Sequence, residues 1–251
     1  MAEKFGYLCT TMNKLLIDIG NTAIKIAIAA RDELLLVQHC ENLTEEIIVP
    51  IIQQYQPKIA ILSSVRKAAH CEEMELLARY IKKNIFFTYK TPIPIRNLYA
   101  TPETLGVDRL ATAVGANTLF PKQNCMIIDC GTAITIDFLS DNGQFLGGNI
   151  SPGLRARFKA LHHYTGRLPL GNINENAVSI GQNTQEAIEA GVLQGAVNEI
   201  EGYIEQYPNN KAIITGGDTF YFATKIKKPI FVVLNLNFIG LAKIVDYNAY
   251  I

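Results

Sequence analysis

The spacing of apolar residues divides the chain into two halves that repeat one order of elements. In each half, a short apolar run is followed by two more short strand patterns, then by a helical pattern and a further strand. Three short strands this close together are typical of an antiparallel meander. In the first half, the pattern predicts strands at 15–18, 23–30, 34–38, 58–62 and 85–88, and helices at 43–55 and 72–82.

The second half returns to the same order. The pattern predicts strands at 126–129, 133–139, 144–150, 211–215 and 230–234, and helices at about 185–206 and 237–247. Asp-Asn-Gly at 141–143 predicts a hairpin, because Asn-Gly accepts the positive φ angles of a tight turn. Asn183 or Thr184 can cap the long helix. We therefore expect a duplicated α/β unit, with one domain at 12–116 and the other at 117–251.

Two segments in matching positions carry nearly the same phrase. "LLIDIGNTAIKI" at 15–26 and "MIIDCGTAITI" at 126–136 each have an apolar run, an Asp, one residue, a Gly and then Thr-Ala-Ile. Asn21 is one extra residue in the first copy. A single Ile-Asp-x-Gly is a common way to end a strand, but two copies in two matching element orders indicate a duplicated site.

The turn in each phrase has the chemistry of a phosphate site. Gly20 lets the backbone approach a ligand closely, and the N–H groups that follow it, with the Thr22 hydroxyl, suit phosphate oxygens. Lys25 adds a cation, and Asp18 can hold a divalent ion that neutralises phosphate charge. The equivalent residues of the second half are Asp129, Gly131 and Thr132. The sequence has neither a Walker-type loop nor a G-x-G-x-x-G phrase, so these turns are its best nucleotide site.

A third phrase, "YATPETLGVDRLATAVGA" at 99–116, brings Gly-Val-Asp-Arg to the start of an amphipathic helix. Taken alone, Asp108 is more often a helix-start carboxylate favoured by the helix dipole. Tyr99 can equally be a packing aromatic, and Thr184 can be a helix cap. The residues alone leave these alternatives open.

Together these phrases resemble type III pantothenate kinases, which belong to the actin, sugar kinase and Hsp70 superfamily. The resemblance extends from Met12 over essentially the whole chain. The family phrases D-x-G-N-T-x-x-K, G-x-D-R and D-x-G-T-A-x-T-x-D stand at 18–25, 106–109 and 129–137. The resemblance implies an α/β fold of duplicated RNase H-like (actin-like ATPase) domains with the active site in the cleft between them. It also implies ATP-dependent phosphorylation of pantothenate to 4′-phosphopantothenate, the first step of coenzyme A biosynthesis.

The resemblance also implies a role for each matching residue. Asp108 is the implied catalytic base. Asp129 is the implied ligand of a monovalent cation, potassium or ammonium, and Asp18 is a candidate ligand of the magnesium that accompanies ATP. The implied ATP-binding residues are Asp18, Ile19, Gly20, Asn21, Thr22, Ala23, Ile24, Lys25 and Thr132. The implied pantothenate-binding residues are Tyr99, Gly106, Val107, Asp108, Arg109 and Thr184, the last across a dimer interface.

The composition limits the classes of partner and the cellular compartment that we expect. The formal net charge is zero, so we expect no nucleic-acid partner. No apolar stretch approaches the roughly 20 residues that span a bilayer, so we expect no membrane partner. Asp18 interrupts the first apolar run, which argues against a signal peptide, and five cysteines without a C-x-x-C suggest a reducing compartment. We therefore expect a cytoplasmic protein, with residues 1–11 a loose extension or an upstream start.

We also expect a homodimer, from the resemblance and from the small residues at 187–196, which permit close helix packing. Two other functions compete with the kinase. One is a regulatory or nucleotide-sensing relative without turnover, against which the presence of both Asp18 and Asp108 argues. The other is a superfamily kinase for another small hydroxylated or carboxylate substrate, in which the Gly-Val-Asp-Arg phrase would not be expected.

Overall fold

The structure is a computed structural model in which residues 12–31, 33–66 and 70–249 are described. The predicted extension at 1–11 lies outside the described residues. The chain divides into two compact units, of which the second is Pro92–Tyr247 and the first holds the residues up to Thr91 and those from Asn248. The predicted boundary at 116/117 was drawn between the repeated phrases, and it stays a prediction.

The first unit is a five-stranded sheet with two helices. Its elements are β1 (Lys14–Ile19), β2 (Ile24–Ala30), β3 (Glu33–Cys40), α1 (Glu45–Tyr55), β4 (Ile59–Ser64), α2 (Cys71–Tyr80) and β5 (Lys83–Phe86). The strand order is β3-β2-β1-β4-β5, with β1 antiparallel to β2 and parallel to β4. Strand β1 is the central strand of this order, and every residue in it is buried. Its carboxyl end therefore lies at the middle of the sheet edge.

The second unit contains a six-stranded sheet. Its elements are β6 (Arg96–Asn97), a 3₁₀ turn (Pro102–Thr104), α3 (Val107–Leu119), β7 (Cys125–Cys130), β8 (Ala133–Leu139), β9 (Gln144–Pro152), α4 (Leu154–Thr165), α5 (Thr184–Gln206), β10 (Lys211–Thr215), α6 (Thr219–Lys225), β11 (Phe231–Val232) and α7 (Leu236–Ala249). The order is β11-β10-β7-β8-β9-β6. Apart from β6, this is the order of the first unit, and the predicted duplication is therefore seen in the topology.

Each sheet buries alternate residues of a central strand, β1 or β7, against its own helices. In the first unit, Leu15, Ile17 and Ile19 belong to the core packed with α1 and α2. In the second, Met126 and Ile128 belong to the core packed with α4, α5 and α6. Full burial of one such side chain stabilises the fold by about 1.5–3 kcal/mol. Strands β1 and β7 each pair with a neighbouring strand on both sides, and this pairing holds their carboxyl ends in place.

Helices α4 and α6 and the two-residue strand β6 were not predicted from the sequence. Helix α4 begins at Leu154, after a Gly153 N-cap without a side-chain hydrogen bond, and buries only Leu154 and Phe158, so no strong signal marks it in the sequence. The hairpin at 141–143 forms as predicted, but Gly143 is its only residue with a positive φ, 73°. The Gly143 N–H donates to the Ser140 carbonyl at 3.0 Å.

Helix α3 is fixed by close backbone approach to α7. A Cβ atom on Gly115 would lie 2.4 Å from the Leu236 carbonyl oxygen, and one on Gly240 would lie 1.8 Å from the Ala111 carbonyl oxygen. Only glycine allows this approach. The two helices thus hold the Gly-Val-Asp-Arg phrase in a rigid setting. Among the described residues, no helix combines the length and the apolar character that crossing a membrane requires.

Candidate active site

The first Asp-x-Gly turn joins β1 to β2. Asp18 pairs in register with Lys25 on β2. The Gly20 N–H donates to the Ala23 carbonyl at 3.1 Å, and the Arg66 Nε–H donates to the Gly20 carbonyl at 2.9 Å. The predicted ATP-binding residues of this half therefore share one tight, internally bonded turn.

The second turn, between β7 and β8, is one residue shorter. The Gly131 N–H donates to the Ala133 carbonyl at 3.0 Å, so the equivalent hydrogen bond spans one residue fewer than in the first turn. Asn21 is the inserted residue. The Gly153 N–H donates to the Thr132 carbonyl at 3.1 Å, and a Cβ on Gly153 would lie 2.1 Å from the Gly131 carbonyl oxygen. Glycine at 153 thus lets α4 begin directly against this turn.

Asp129 lies at the carboxyl end of β7, beside the Gly-Gly turn after β10. Gly216 has a φ of 97°, and a Cβ there would lie 2.4 Å from Asp129 Oδ1. The Asp218 N–H donates to the Cys130 carbonyl at 2.9 Å, which fixes that turn against β7. This arrangement requires glycine at 216. The space between Gly216, Asp129 and Cys130, called the cradle below, is lined by carboxylate and carbonyl oxygens, which are ligands that suit a hard cation. Within the described ranges, no group of three or more His, Cys, Asp and Glu residues could hold a metal by itself.

Asp108 occupies the first turn of α3, after Gly106 at the N-cap. Its Oδ1 accepts a hydrogen bond from the Arg109 backbone N–H at 2.9 Å. Burial raises the pKa of Asp108, and the N–H bond and the charge of Arg109 oppose that rise. A Cβ on Gly106 would lie 2.5 Å from the same oxygen. A half-buried carboxyl group with a raised pKa is a better proton acceptor than an ordinary surface aspartate.

The Arg109 side chain is buried in an ion pair with Asp137, in the middle of β8. Arg109 Nε lies 3.0 Å from Oδ1 and 3.1 Å from Oδ2 of Asp137, and Arg109 Nη2 also donates to Oδ1. Asp137 is 0% exposed and Arg109 is 6% exposed. Removing one partner of such a pair typically costs about 3–5 kcal/mol. Asp137 ends the phrase at 129–137, but the sequence alone indicates no role for it.

The Tyr99 ring completes this cluster. The Arg109 guanidinium carbon lies 5.6 Å from the Tyr99 ring centroid and 5.9 Å from that of Phe145, within the range of cation–π attraction. The ring packs against Gly147, whose φ of 106° favours glycine; a Cβ there would be in ordinary contact with Tyr99 Cδ2, at 3.4 Å. The structure thus brings Tyr99 together with the residues at 106–109. Their roles toward a substrate stay predictions.

Thr184 lies elsewhere on the second unit, as the exposed first residue of α5. The alternative that Thr184 caps this helix is wrong, because the Asn183 side chain is the cap and accepts from the Glu186 N–H at 3.0 Å. Thr184 lines an open groove of about 820 Å³ between α4 and α5. Leu161, Tyr164 and Ile188 give this groove an apolar lining.

Several solved structures share this fold. A hexokinase of the ROK family from Thermus thermophilus aligns over 93% of this chain and 98% of its own, with a TM-score of 0.51 and 11% identity. A protein from Campylobacter jejuni described as a Baf family transcriptional activator aligns over 94% and 100%, with a TM-score of 0.59 and 24% identity. The topology and these likenesses show a duplicated RNase H-like (actin-like ATPase) fold, as predicted.

The sequence model of the type III pantothenate kinase family matches residues 14–206. A type III pantothenate kinase from Bacteroides fragilis is 41% identical over 241 residues, which cover 93% of this chain and 98% of that protein. Another, from Flavobacterium johnsoniae, is 40% identical with the same coverage. The chain belongs to the type III pantothenate kinase family, and this confirms the predicted family and enzyme class.

Proposed function

We propose that this chain transfers the γ-phosphoryl group of ATP to the primary hydroxyl of pantothenate, giving ADP and 4′-phosphopantothenate. The observation that carries the proposal is the family match over 14–206, which includes the phrases at 18–25, 106–109 and 129–137. The reaction would be the entry step of coenzyme A biosynthesis. We also propose that the protein is located in the cytoplasm.

In the proposed mechanism, the backbone N–H groups of the two turns and the Thr22 and Thr132 hydroxyls bind phosphate oxygens, and Lys25 offsets their charge. Tyr99 and the residues at 106–109 orient pantothenate. Asp108 takes the proton from the attacking hydroxyl as the oxygen approaches the γ-phosphorus. The raised pKa of Asp108 supports this assignment, because a carboxylate with a raised pKa accepts a proton more readily than an ordinary aspartate does.

Two cations belong to the proposal. Asp18 would help to hold magnesium with ATP, and Asp129 would hold potassium or ammonium together with nearby carbonyl oxygens. When bound, such cations supply positive charge that offsets the charge developing on the transferring phosphoryl group and the leaving group. The oxygen-lined cradle between Asp129 and Gly216 supports the second assignment.

The proposed activity is tested by ADP release with ATP and magnesium in potassium buffer. We expect release that depends on pantothenate and that is absent with glucose or acetate in its place. Glucose- or acetate-dependent release would favour a kinase for another small substrate. ATP binding without release on any of the three would favour the non-catalytic relative and would overturn the proposal.

We further propose that the chain is a homodimer, with the groove between α4 and α5 in the interface. Ala187 and Gly191 on the exposed side of α5 are small, and a Cβ on Gly191 would meet no atom within 4 Å. A second copy could therefore approach the helix backbone closely. This would bring Thr184 into the interface, which is consistent with its implied contact to pantothenate across two subunits.

The dimer proposal predicts a light-scattering mass of twice the 27.8 kDa chain at micromolar concentration. Gly191→Arg should shift the mass toward one chain, because a long charged side chain would occupy the groove. Gly202→Arg is the matched control: it lies on the same helix with nothing near its Cβ and does not line the groove. A wild-type mass of a single chain would refute the dimer.

A further inference from the structure

The side chain of Arg109, an implied substrate-binding residue, is held in a buried ion pair with Asp137. Asp137 contacts the Arg109 guanidinium through both carboxylate oxygens, and its side chain has no exposed surface. The opposite strand makes room for it, since a Cβ on Gly148 would lie 2.5 Å from Asp137 Oδ1 and 2.2 Å from the Ile136 carbonyl oxygen. The site is therefore built around this carboxylate.

We propose that Asp137 is a positioning residue for phosphoryl transfer: it holds the Arg109 guanidinium beside the Tyr99 and Phe145 rings and thereby fixes the first turn of α3, which carries Asp108. The inference rests on the proposed role of Asp108 as the base. Arg109 is next to Asp108 in the chain, and its backbone N–H is bonded to the Asp108 carboxylate. A shift of the Arg109 backbone would therefore move the hydrogen bond that orients the Asp108 carboxylate.

The pair also sets the charge around Asp108. Burial raises the pKa of Asp108, while the Arg109 backbone N–H, the Arg109 charge and the backbone N–H of Asp108 itself lower it. Asp137 on β8 lies near enough that the charge of Asp108 raises the pKa of Asp137. Arg109 lowers the pKa of Asp108, whereas the carboxylate of Asp137 offsets that cation. Without Asp137, an uncompensated guanidinium would make Asp108 a weaker base, because a neighbouring cation favours the ionised carboxylate.

Asp137→Asn tests the proposal, since it removes the charge and keeps the shape. We expect kcat to fall about 10- to 100-fold, the range for a displaced catalytic group, while ATP affinity stays within about twofold of wild type. The acid limb of the kcat/KM–pH profile should move to lower pH, because the pKa of Asp108 falls. Glu189→Gln is the matched control: it removes a buried carboxylate of the same unit that bonds to Asn174 and Gln185, and it should change neither value.

The double variant Arg109→Met with Asp137→Leu keeps the test valid if Asp137→Asn does not fold, because an apolar pair can replace a buried ion pair without loss of stability. Here kcat should again fall, but the acid limb should move to higher pH, since the Arg109 charge no longer lowers the pKa of Asp108 while its burial and its backbone hydrogen bonds remain. Wild-type kcat in a folded variant, or a raised KM for pantothenate alone, would overturn the proposal. Wild-type enzyme run alongside separates this result from failure of the proposed function, which would appear as no pantothenate-dependent ADP release.

Discussion

Asp108→Asn should lower kcat by roughly 10²-fold or more while ATP still binds. An alcohol is a poor nucleophile at neutral pH, and a general base contributes about 10²–10⁴-fold to such a step. The amide of asparagine can accept a hydrogen bond from the hydroxyl, but it cannot take the proton. The carboxylates proposed to hold cations, Asp18 and Asp129, are less suitable, because a cation-bound carboxylate is a weak proton acceptor.

The measurement is steady-state ADP release with pantothenate varied, together with ATP binding by calorimetry. Glu103→Gln is the matched control, because it converts an exposed carboxylate five residues earlier into an amide and should leave kcat within about twofold. If Asp108→Asn kept the wild-type kcat, Asp108 would be only a helix-start carboxylate, and the base would have to be sought among other residues.

The pH profile of the wild-type enzyme gives a second test of the same residue. Since burial raises the pKa of Asp108, the base becomes protonated, and kcat/KM falls, at a higher pH than for an ordinary aspartate. We expect this acid limb to be missing from the residual activity of Asp108→Asn. An identical limb in both proteins would assign it to another group.

The duplicated fold could be predicted because its pattern is local. Strands such as β1 and β7 are short apolar runs that end in the same Asp-x-Gly phrase, and the structure places them at equivalent positions in two sheets of one order. Helix α4 could not be predicted in this way. It begins without a side-chain cap and buries only two residues, so neither a start signal nor a strong apolar period marks it in the sequence.

The same distinction between local sequence patterns and contacts made by packing applies to the site. The turns at 18–25 and 129–132 are defined by residues close in the chain, so their chemistry could be inferred from the phrase alone. The pair of Arg109 and Asp137 joins residues from α3 and β8, and only the packing of α3 on the sheet brings them together. The one signal in the sequence was the Asp at the end of the second phrase. Its spacing after Asp129 puts it on the same strand hairpin, but spacing does not identify its partner.

Activity should require a monovalent cation as well as magnesium, and Asp129→Ala should remove most of the response to potassium. Phosphoryl transfer spreads negative charge over the transferred group and the leaving oxygen, and fixed cations offset it by several kcal/mol. Each 1.4 kcal/mol is about tenfold in rate, so we expect buffer without potassium and ammonium to slow turnover about tenfold or more. Chelation of magnesium should abolish turnover.

The decisive comparison is the ratio of rates in potassium and in sodium buffer at equal ionic strength. The ratio should be large for wild type and close to one for Asp129→Ala, because the cradle beside Gly216 would lose its carboxylate. Asp141→Ala, in the exposed hairpin of the same unit, is the matched control and should keep the wild-type ratio. Equal wild-type activity in sodium and potassium would mean that the carboxylate of Asp129 binds no activating cation, and that its position at the end of β7 serves the fold of the turn instead.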